Sequence, residues 1–336
     1  MHRLGIAAEW CYKYTNMSKN EPKQSPRTAS LAPLARAWLS LEGLSVGDAF
    51  GERCFGTAYH EGAEQAARDF HWVWTDDTAM AAGVVEVLER FGEINQDELA
   101  ATFARNYVRE PARGYGGGAH KILAAIGDWV PWRVAARDAF GGEGSCGNGG
   151  GMRAAPIGAY YCDDLDHVVQ QATLSAEPTH MHIDGIAGAV GIAVAAAMVF
   201  AGERDAGRIV AEATARMPEG ETKRQMQRLV GIPHWREADV MTVAAEVGSG
   251  RYVRSSDTVP FAIWCATRFI DDYEAACNAC WNAGGDIDTT CAMVGGIVVG
   301  AVGFEGIPAT WHRMRERLPW ATGFGSPAGA GSSSAR

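Results

Sequence analysis

Apolar residues recur every three to four positions along most of the chain, and no segment alternates between apolar and polar residues as a half-buried strand does. This pattern predicts helices throughout and no sheet. The predicted helices are residues 32–45, 77–91, 97–109, 117–128, 132–140, 152–161, 165–175, 182–201, 204–216, 222–230, 238–247, 259–270, 272–283, 290–302 and 309–317. We therefore expect an all-α protein, a single-domain orthogonal bundle of many helices.

Two stretches without charged residues are expected to form the centre of this bundle. Residues 186–200 consist mostly of Ala, Gly and Val, and they are too few to span a membrane. Residues 291–304 carry glycines at spacings of three to five, which lower helix propensity but let neighbouring helices approach closely. Both stretches are predicted to be buried helices of one core.

The length and composition of the chain favour one domain. It has 336 residues, 47% of them hydrophobic, and this is enough to bury a large core. No segment is typical of a linker between domains, and we expect the domain to cover residues 31–320. Residues 1–30 are polar and basic and predict a flexible extension, whereas residues 321–336, rich in Gly, Ser and Ala, predict a disordered tail.

Charge and cysteine usage restrict the partners and the compartment. A net charge of −10 argues against non-specific binding to nucleic acid, which needs clustered Lys and Arg, but is compatible with a single nucleotide. The eight cysteines follow no secretory signal, so we expect reduced thiols in a cytoplasmic protein. Cys277 and Cys280 form a close pair without a second one, and a zinc or redox role is the less favoured interpretation.

Two clusters of carboxylates and hydroxyls stand directly before predicted helices. We call Thr75-Asp76-Asp77 the first acidic motif and Asp286-Ile287-Asp288-Thr289 the second acidic motif. Either motif alone is explained by capping of a helix N-terminus. If the two converge, however, they bring four carboxylates together, which is unfavourable unless a cation neutralises them. Because carboxylate and hydroxyl oxygens are preferred ligands of Mg²⁺ and Mn²⁺, the pair predicts a two-metal site.

The acidic motifs belong to a longer series of motifs. The other members are GLSVGDAFG at 43–51, RGYG at 113–116, GNG at 147–149, GMR at 151–153 followed by Pro156, Thr179-His180, and Ile307-Pro308 followed by Trp311. In this order they resemble the ADP-ribosylglycohydrolase family, over about residues 35 to 318. The resemblance implies the same all-α fold.

The resemblance also implies the metal ligands and the catalytic residues. Two Mg²⁺ ions, or Mn²⁺ in their place, are expected at Thr75, Asp76, Asp77, Asp286, Asp288 and Thr289. Asp77 and Asp288 are also expected to be catalytic, together with a Glu that lies seven residues beyond Asp48 in the family. That position is Phe55 here, and Glu52 is the nearest substitute, with a general base elsewhere as the alternative. The segment 43–51 is predicted to end a helix in a sharp turn, and Asp48 is interpreted as a turn or capping residue more readily than as a ligand.

Glycine-rich loops are the predicted substrate site. Residues 113–118 and 141–151 each run into a helix and so expose backbone N–H groups to an anion, although for either loop alone a flexible surface loop is the preferred interpretation. Beside the metals they predict binding of pyrophosphate and ribose, with Tyr115 stacking on adenine, Asn148 bonding the distal ribose, and Arg153 pairing with a phosphate or with a structural carboxylate. The predicted substrate-binding residues are Tyr115, Gly116, Gly117, Asn148, Gly149, Gly151, Met152, His180 and His182. The two histidines do not share a helix face, so we expect capping and substrate contact by one of them, not a His-ligated metal, and a purely structural role is an equal alternative to substrate contact.

The function implied by the resemblance is a hydrolase that removes ADP-ribose from a modified substrate by cleaving the glycosidic bond at C1″. The expected partner is the ADP-ribose moiety of a protein, a nucleobase or a small molecule, bound by a monomer away from membranes. Two alternatives stay open. One is a relative that binds ADP-ribose with little catalysis, and the other is a metal-dependent phosphoesterase of a different kind.

Overall fold

The structure is a computed structural model that describes residues 28–55 and 71–318. Within these ranges the chain forms α-helices joined by loops and short 3₁₀ turns, and the only β-type pairings are two isolated bridges. In chain order the helices are α1 (Pro33–Cys54), α2 (Asp76–Phe91), α3 (Gln96–Arg109), α4 (Gly117–Gly127), α5 (Trp132–Arg137), α6 (Gly149–Met152), α7 (Ala155–Tyr160), α8 (Leu165–Ala176), α9 (Ile183–Phe200), α10 (Ala206–Arg216), α11 (Glu221–Gly231), α12 (Val240–Val247), α13 (Ser255–Arg268), α14 (Tyr273–Ala283), α15 (Ile287–Val302) and α16 (Ala309–Met314). The prediction of an all-α fold is confirmed.

Helices α1 and α15 pack backbone against backbone along a row of glycines. A methyl group placed on Gly43 would lie 2.4 Å from the carbonyl oxygen of Gly295, and one on Gly47 would lie 2.2 Å from that of Cys291. One on Gly51 would lie 2.5 Å from the Asp288 Cα. Glycines four residues apart fall on one face of a helix, so this face of α1 has no side chain to hold α15 away. We call Gly43, Gly47 and Gly51 the glycine seam.

Helix α9 lies in the middle of the core, as its composition predicts. It is long and apolar enough to cross a membrane by length and composition, yet 78% of it is buried inside the molecule. It packs against α7, α8 and α10, and also against α15. The second apolar stretch is α15 itself, in which every residue from Thr289 to Ala301 is buried.

Several predicted helix ends are wrong, and the largest error is in α1. This helix continues to Cys54, where the sequence predicted a turn over residues 43–51, because its glycines serve close packing and not a change of direction. Helix α15 begins at Ile287 instead of 290, so the second acidic motif forms its first turn. The segment predicted as one helix over 152–161 is split between α6 and α7.

The ends of the domain are only partly covered by the described residues. Thr28 to Ser30 form a 3₁₀ turn, and the hydroxyl of Thr28 donates a hydrogen bond of 2.7 Å to the Gly300 carbonyl. The described residues between 28 and 315 belong to one compact unit. Residues 1–27 of the predicted extension and the whole predicted tail, residues 321–336, lie outside the described residues.

Candidate active site

The first acidic motif forms the start of α2. Thr75 occupies the N-cap, where its side chain accepts a hydrogen bond from the Asp77 N–H, and Asp76 and Asp77 follow in the first turn. The carbonyl of Arg113 accepts a bond of 2.6 Å from the Asp76 N–H, and the Arg113 guanidinium stacks 3.6 Å from the Trp74 ring centre. These contacts fix the backbone that carries both carboxylates.

The second acidic motif forms the start of α15. Asp286 occupies the N-cap without capping through its side chain, and its backbone N–H bonds to the Ser249 carbonyl. The Asn148 side-chain amide donates to Oδ2 of Asp286 over 2.6 Å and to the Thr258 hydroxyl over 3.1 Å. These two bonds use both amide hydrogens, so Asn148 holds a carboxylate of the motif. For the predicted bond to the distal ribose, only its carbonyl oxygen is left.

The two motifs converge, which is the condition on which the predicted two-metal site depends. Carboxylate oxygens of Asp48, Asp77 and Asp288 lie within 4.8 Å of one another, and Thr289 donates to Oδ2 of Asp77 over 3.4 Å. The glycine seam is the cause, because the contact of Gly51 with α15 places Asp48 of α1 beside the first turn of α15.

Asp48 takes a larger part than the sequence predicted. It is fully buried within α1, so its assignment to a turn is wrong. Its capping role is confirmed, since its carboxylate accepts bonds from the N–H and hydroxyl groups of both Thr75 and Thr78 at the start of α2. One carboxylate thus ties α1 to α2 and also faces Asp77 and Asp288.

Burial and mutual repulsion raise the pKa values of this cluster. Burial raises the pKa of Asp48 to about 6, against the effect of its hydrogen bonds from Thr78 and Thr75. Burial and the nearby Asp48 charge raise the pKa of Asp76 to about 8. The pKa of Asp77 and that of Asp288 are both raised, first by burial and then by neighbouring carboxylates. The carboxylates therefore gather more negative charge than the protein around them neutralises.

The cluster fits a divalent cation. Oδ1 of Asp77 is buried and has no hydrogen-bond partner, although a carboxylate oxygen accepts bonds readily. The atoms around it that could ligate a metal are all oxygens, from carboxylates and from the hydroxyls of Thr75 and Thr289. This set of ligands suits Mg²⁺ or Mn²⁺ better than Zn²⁺.

The first glycine-rich loop borders the cluster. Gly114 has a φ of +88°, and a methyl group placed on it would lie 3.5 Å from Oδ1 of Asp76, whereas methyl groups on Gly116 and Gly117 would have nothing within 4 Å. Tyr115 is 5% exposed, and its ring packs edge-on against Tyr107. The open glycines are compatible with the predicted anion contact, and stacking of Tyr115 on adenine stays a prediction.

The second glycine-rich loop leads into α6, where Gly151 and Met152 are buried and Gly149 is partly buried. Arg153, the next residue, is fully buried and donates to the backbone oxygens of Gly149 and Ser175. The Asp76 carboxylate is near enough to attract its charge. Pairing of Arg153 with a phosphate or with a structural carboxylate stays a prediction.

The two histidines take different places. His182 is the N-cap of α9, and its Nδ1 accepts a bond of 3.1 Å from the Asp184 N–H, which confirms the capping prediction for one of the pair. His180 is 8% exposed and lies against the second glycine-rich loop. Substrate contact by either one stays a prediction.

Glu52 lies on α1, one helical turn beyond Asp48, and is exposed to solvent. Phe55, the position of the family's Glu, is 43% exposed and follows the last residue of the helix. Residues 56–70 lie outside the described part of the chain. The catalytic role of Glu52 therefore stays a prediction.

Comparison with known proteins identifies a family. A family model described as ADP-ribosylglycohydrolase matches residues 29–325, nearly the whole chain. The chain belongs to the ADP-ribosylglycohydrolase family. Its relatives include ADP-ribosylhydrolase ARH3 of Bos taurus, 30% identical over 288 residues, which cover 76% of this chain and 77% of that protein. ARH3 of Homo sapiens is 30% identical over 273 residues, which cover 72% and 74%.

A solved structure supports the fold of this ADP-ribosylglycohydrolase family member. A chain of an ADP-ribosylglycohydrolase-related protein complex superposes with a TM-score of 0.61 at 21% identity, covering 84% of this chain and 93% of that one. At this identity the likeness concerns the fold alone. Family membership itself supports a hydrolase that acts on ADP-ribosylated substrates.

Two contributions to the site were missed in the sequence. Asp48 was assigned to a turn, although the four-residue spacing of Gly43, Gly47 and Gly51 was visible and is typical of a helix in close contact with another. The bond from Asn148 to Asp286 joins residues 138 positions apart, and no local signal predicts it.

Proposed function

We propose that this protein is a metal-dependent hydrolase that removes ADP-ribose from a modified substrate by cleaving the glycosidic bond at C1″. The observation that carries the proposal is the convergence of Asp48, Asp77 and Asp288 in an oxygen-only cluster beside two glycine-rich loops. Family membership supplies the substrate class.

The residues proposed to hold two Mg²⁺ or Mn²⁺ ions are those of the two acidic motifs, Thr75, Asp76, Asp77, Asp286, Asp288 and Thr289, with Asp48 beside them. When bound, such ions acidify water and orient the hydroxyls of a sugar. The protein contributes the positions of the ligands. Thr75 is held by Asp48, and Asp286 by Asn148.

The chain's own groups have separate tasks in this proposal. The open backbone at Gly116 and Gly117 receives the pyrophosphate. Cleavage at C1″ builds positive charge on the ribose, which the buried carboxylates of Asp77 and Asp288 stabilise. Glu52, exposed on the side of α1 that carries Asp48, is proposed to handle the proton.

A second candidate is a protein that binds ADP-ribose with little turnover. The observation that favours it is Phe55, which has no ionisable group and stands at the position of the family's catalytic Glu. The two candidates agree on metal and ligand binding and differ only in turnover.

The deciding experiment incubates purified protein and Mg²⁺ with ADP-ribose linked to arginine, to serine, to a nucleobase and to a small molecule, and follows free ADP-ribose by mass spectrometry. We expect release from at least one linkage, abolished by excess chelator and restored by Mg²⁺ or Mn²⁺. Asp128→Asn, at an exposed carboxylate beyond α4, is the matched control and should be fully active. Binding of ADP-ribose without release would favour the second candidate, and appearance of AMP would favour a phosphoesterase.

A further inference from the structure

A buried cation lies behind the second glycine-rich loop. Arg153 is fully buried, and its guanidinium donates to the Gly149 carbonyl over 2.9 Å, to the Ser175 carbonyl over 2.7 Å and to the Thr179 hydroxyl oxygen over 2.8 Å. Its Nε is buried without a partner. The nearby Asp76 carboxylate attracts this charge, and the three hydrogen bonds offset part of the cost of burying the guanidinium, so the position of Arg153 fixes the groups to which it donates.

The contacts of Thr179 set the direction of the next hydrogen bond. Thr179 is fully buried, and its hydroxyl has two partners in the described structure, Nη2 of Arg153 and Nδ1 of His180 at 2.8 Å. Arginine can only donate, so the hydroxyl oxygen accepts from Arg153. If Nδ1 of His180 also donated, the hydroxyl hydrogen would have no acceptor. The arrangement that satisfies every group has Thr179 donating to an unprotonated Nδ1.

This direction determines where His180 carries its hydrogen. Burial and the adjacent Arg153 charge lower the pKa of His180 to about 3, so the ring is neutral at ordinary pH. A neutral imidazole with an unprotonated Nδ1 carries its hydrogen on Nε2.

The Nε2 edge of His180 faces the second glycine-rich loop. A methyl group placed on Gly149 would lie 2.9 Å from Nε2, and one on Gly147 would lie 3.3 Å from it. Nε2 has no hydrogen-bond partner among the described residues and is not one of their fully buried polar atoms. An N–H group there is available to a molecule that lies along the loop.

We propose that Arg153 is a positioning residue that acts through the Thr179 hydroxyl to fix His180 as the Nε2–H tautomer, which presents a hydrogen-bond donor beside Gly147 and Gly149. The part concerning the ligand rests on the proposed function: the donor is directed at a ribose or phosphate oxygen of the ADP-ribosyl group, since such oxygens accept hydrogen bonds. The part concerning the tautomer holds for the protein without ligand or metal.

The test uses the full-length protein with ¹⁵N-labelled histidine. Proton–nitrogen correlation spectra of the imidazole rings show which nitrogen carries the hydrogen. Among the nine histidines, the signal that disappears in His180→Gln is that of His180. In the wild type we expect one form with the hydrogen on Nε2. In Thr179→Val, which keeps the side-chain shape but removes the hydroxyl, and in Arg153→Met, we expect averaged signals from both tautomers.

Two further variants separate this role from a loss of folding. Thr179→Ser restores the hydroxyl and should restore the wild-type signals. Thr173→Val removes a hydroxyl that bonds only to the Val169 carbonyl of its own helix, and should leave His180 unchanged. Hydrogen on Nδ1 in the wild type, or an unchanged His180 signal in Thr179→Val, would overturn the proposal.

Calorimetry with ADP-ribose tests the ligand part. Loss of one fixed donor should weaken affinity about 3- to 10-fold in Thr179→Val, with Thr179→Ser within about twofold of the wild type. Equal affinity in Thr179→Val and the wild type would remove the positioning role. If the wild type binds no ADP-ribose but shows the expected tautomer, the proposed function fails while the assignment of Arg153 and Thr179 stands.

Discussion

At the scale of single residues, the site combines carboxylates with two kinds of task. Asp48 has hydrogen-bond donors around both oxygens, whereas Oδ1 of Asp77 is buried without any. The first carboxylate is needed for the structure in the absence of metal, whereas the second has a buried oxygen, Oδ1, that a bound cation would satisfy. Substitutions should separate the two tasks.

Asp288→Asn should abolish metal binding while the protein stays folded. It removes one negative charge from a group of like charges, so the metal-free variant should be at least as stable as the wild type. Loss of a residue that only hydrogen-bonds to a metal ligand typically lowers activity by roughly 10- to 100-fold. Because Asp288 is itself a proposed ligand, turnover should fall by more than this. Titration calorimetry with Mg²⁺, helical circular dichroism and turnover measure the three quantities. Wild-type Mg²⁺ affinity in Asp288→Asn would show that this residue only caps α15.

Glu52→Gln should change turnover and leave binding nearly intact. Gln keeps the shape of the side chain but cannot exchange a proton, so kcat should fall by roughly 10²–10⁴ while the Kd for ADP-ribose changes by no more than a few fold. Glu89→Gln, at an exposed carboxylate on α2, is the matched control. If kcat is unaffected, the general base lies elsewhere in the chain.

Sequence reasoning at this scale succeeded where the signal is local. The acidic motifs are recognisable because capping residues and ligands are the same residue types, placed within four positions at the start of a helix. His180 and Asn148 were selected from motifs, but the bond from Arg153 to Thr179, the neighbour of His180, and the bond from Asn148 to Asp286 depend on how distant segments meet. No periodicity encodes such a meeting.

At the scale of helices, the glycine seam decides whether the site exists. It sets the distance between α1 and α15, and these helices carry Asp48 and Asp288. The sequence predicted both helices, but it ended α1 nine residues early because glycines at 43, 47 and 51 favour a turn as readily as close packing. Only the presence of α15 resolves the two interpretations.

Gly51→Ala should therefore damage the site without touching an ionisable group. The new methyl group would lie 2.5 Å from Asp288 Cα, so α15 must move away from α1. We expect a loss of about 1–3 kcal/mol in the free energy of unfolding, together with weaker Mg²⁺ binding. Denaturant unfolding and calorimetry measure both.

Gly231→Ala is the control for the intrinsic effect of alanine. It lies at the end of α11 with nothing within 4 Å of its methyl position, and it should be neutral or slightly stabilising. An equal loss of stability in both variants would contradict the close-packing explanation.

At the scale of the whole molecule, the carboxylate cluster makes stability depend on pH and on metal. Without metal, the folded-state pKa of Asp76 is about 8, above its ordinary value of 3.8. The folded protein then holds a proton that the unfolded chain releases. This contribution to stability is fully present below about pH 4 and is lost as the pH rises through about 8.

The melting temperature should show this dependence. In excess chelator, ionisation of the carboxylate cluster should lower Tm as the pH rises from about 5 to about 8. Saturating Mg²⁺ should raise Tm more at pH 8 than at pH 6, because ionised carboxylates bind the ion better. Differential scanning calorimetry at each pH, with Asp288→Asn as the control, measures the increment. An increment that does not change with pH would mean that the cluster is not titrating in the folded state.

The overall architecture was the easiest feature to predict. Helical periodicity persists through nearly all of the described chain, and the two uncharged stretches became α9 and α15. The sequence does not predict which helices pack against each other. Helices α1 and α15, for example, are separated by most of the sequence and meet through glycines, which have no side chains to form a recognisable pattern.

Asp48 both accepts hydrogen bonds at the start of α2 and faces Asp77 and Asp288, so selection for folding acts on it differently from these two residues. If a library of variants were selected only for folding, Asp77 and Asp288 would be replaced freely, since each relieves repulsion when neutralised. Asp48 would be retained, because four donors at the start of α2 lose their acceptor without it. A descendant of this protein that had lost its activity would therefore keep Asp48 as the last trace of its former site.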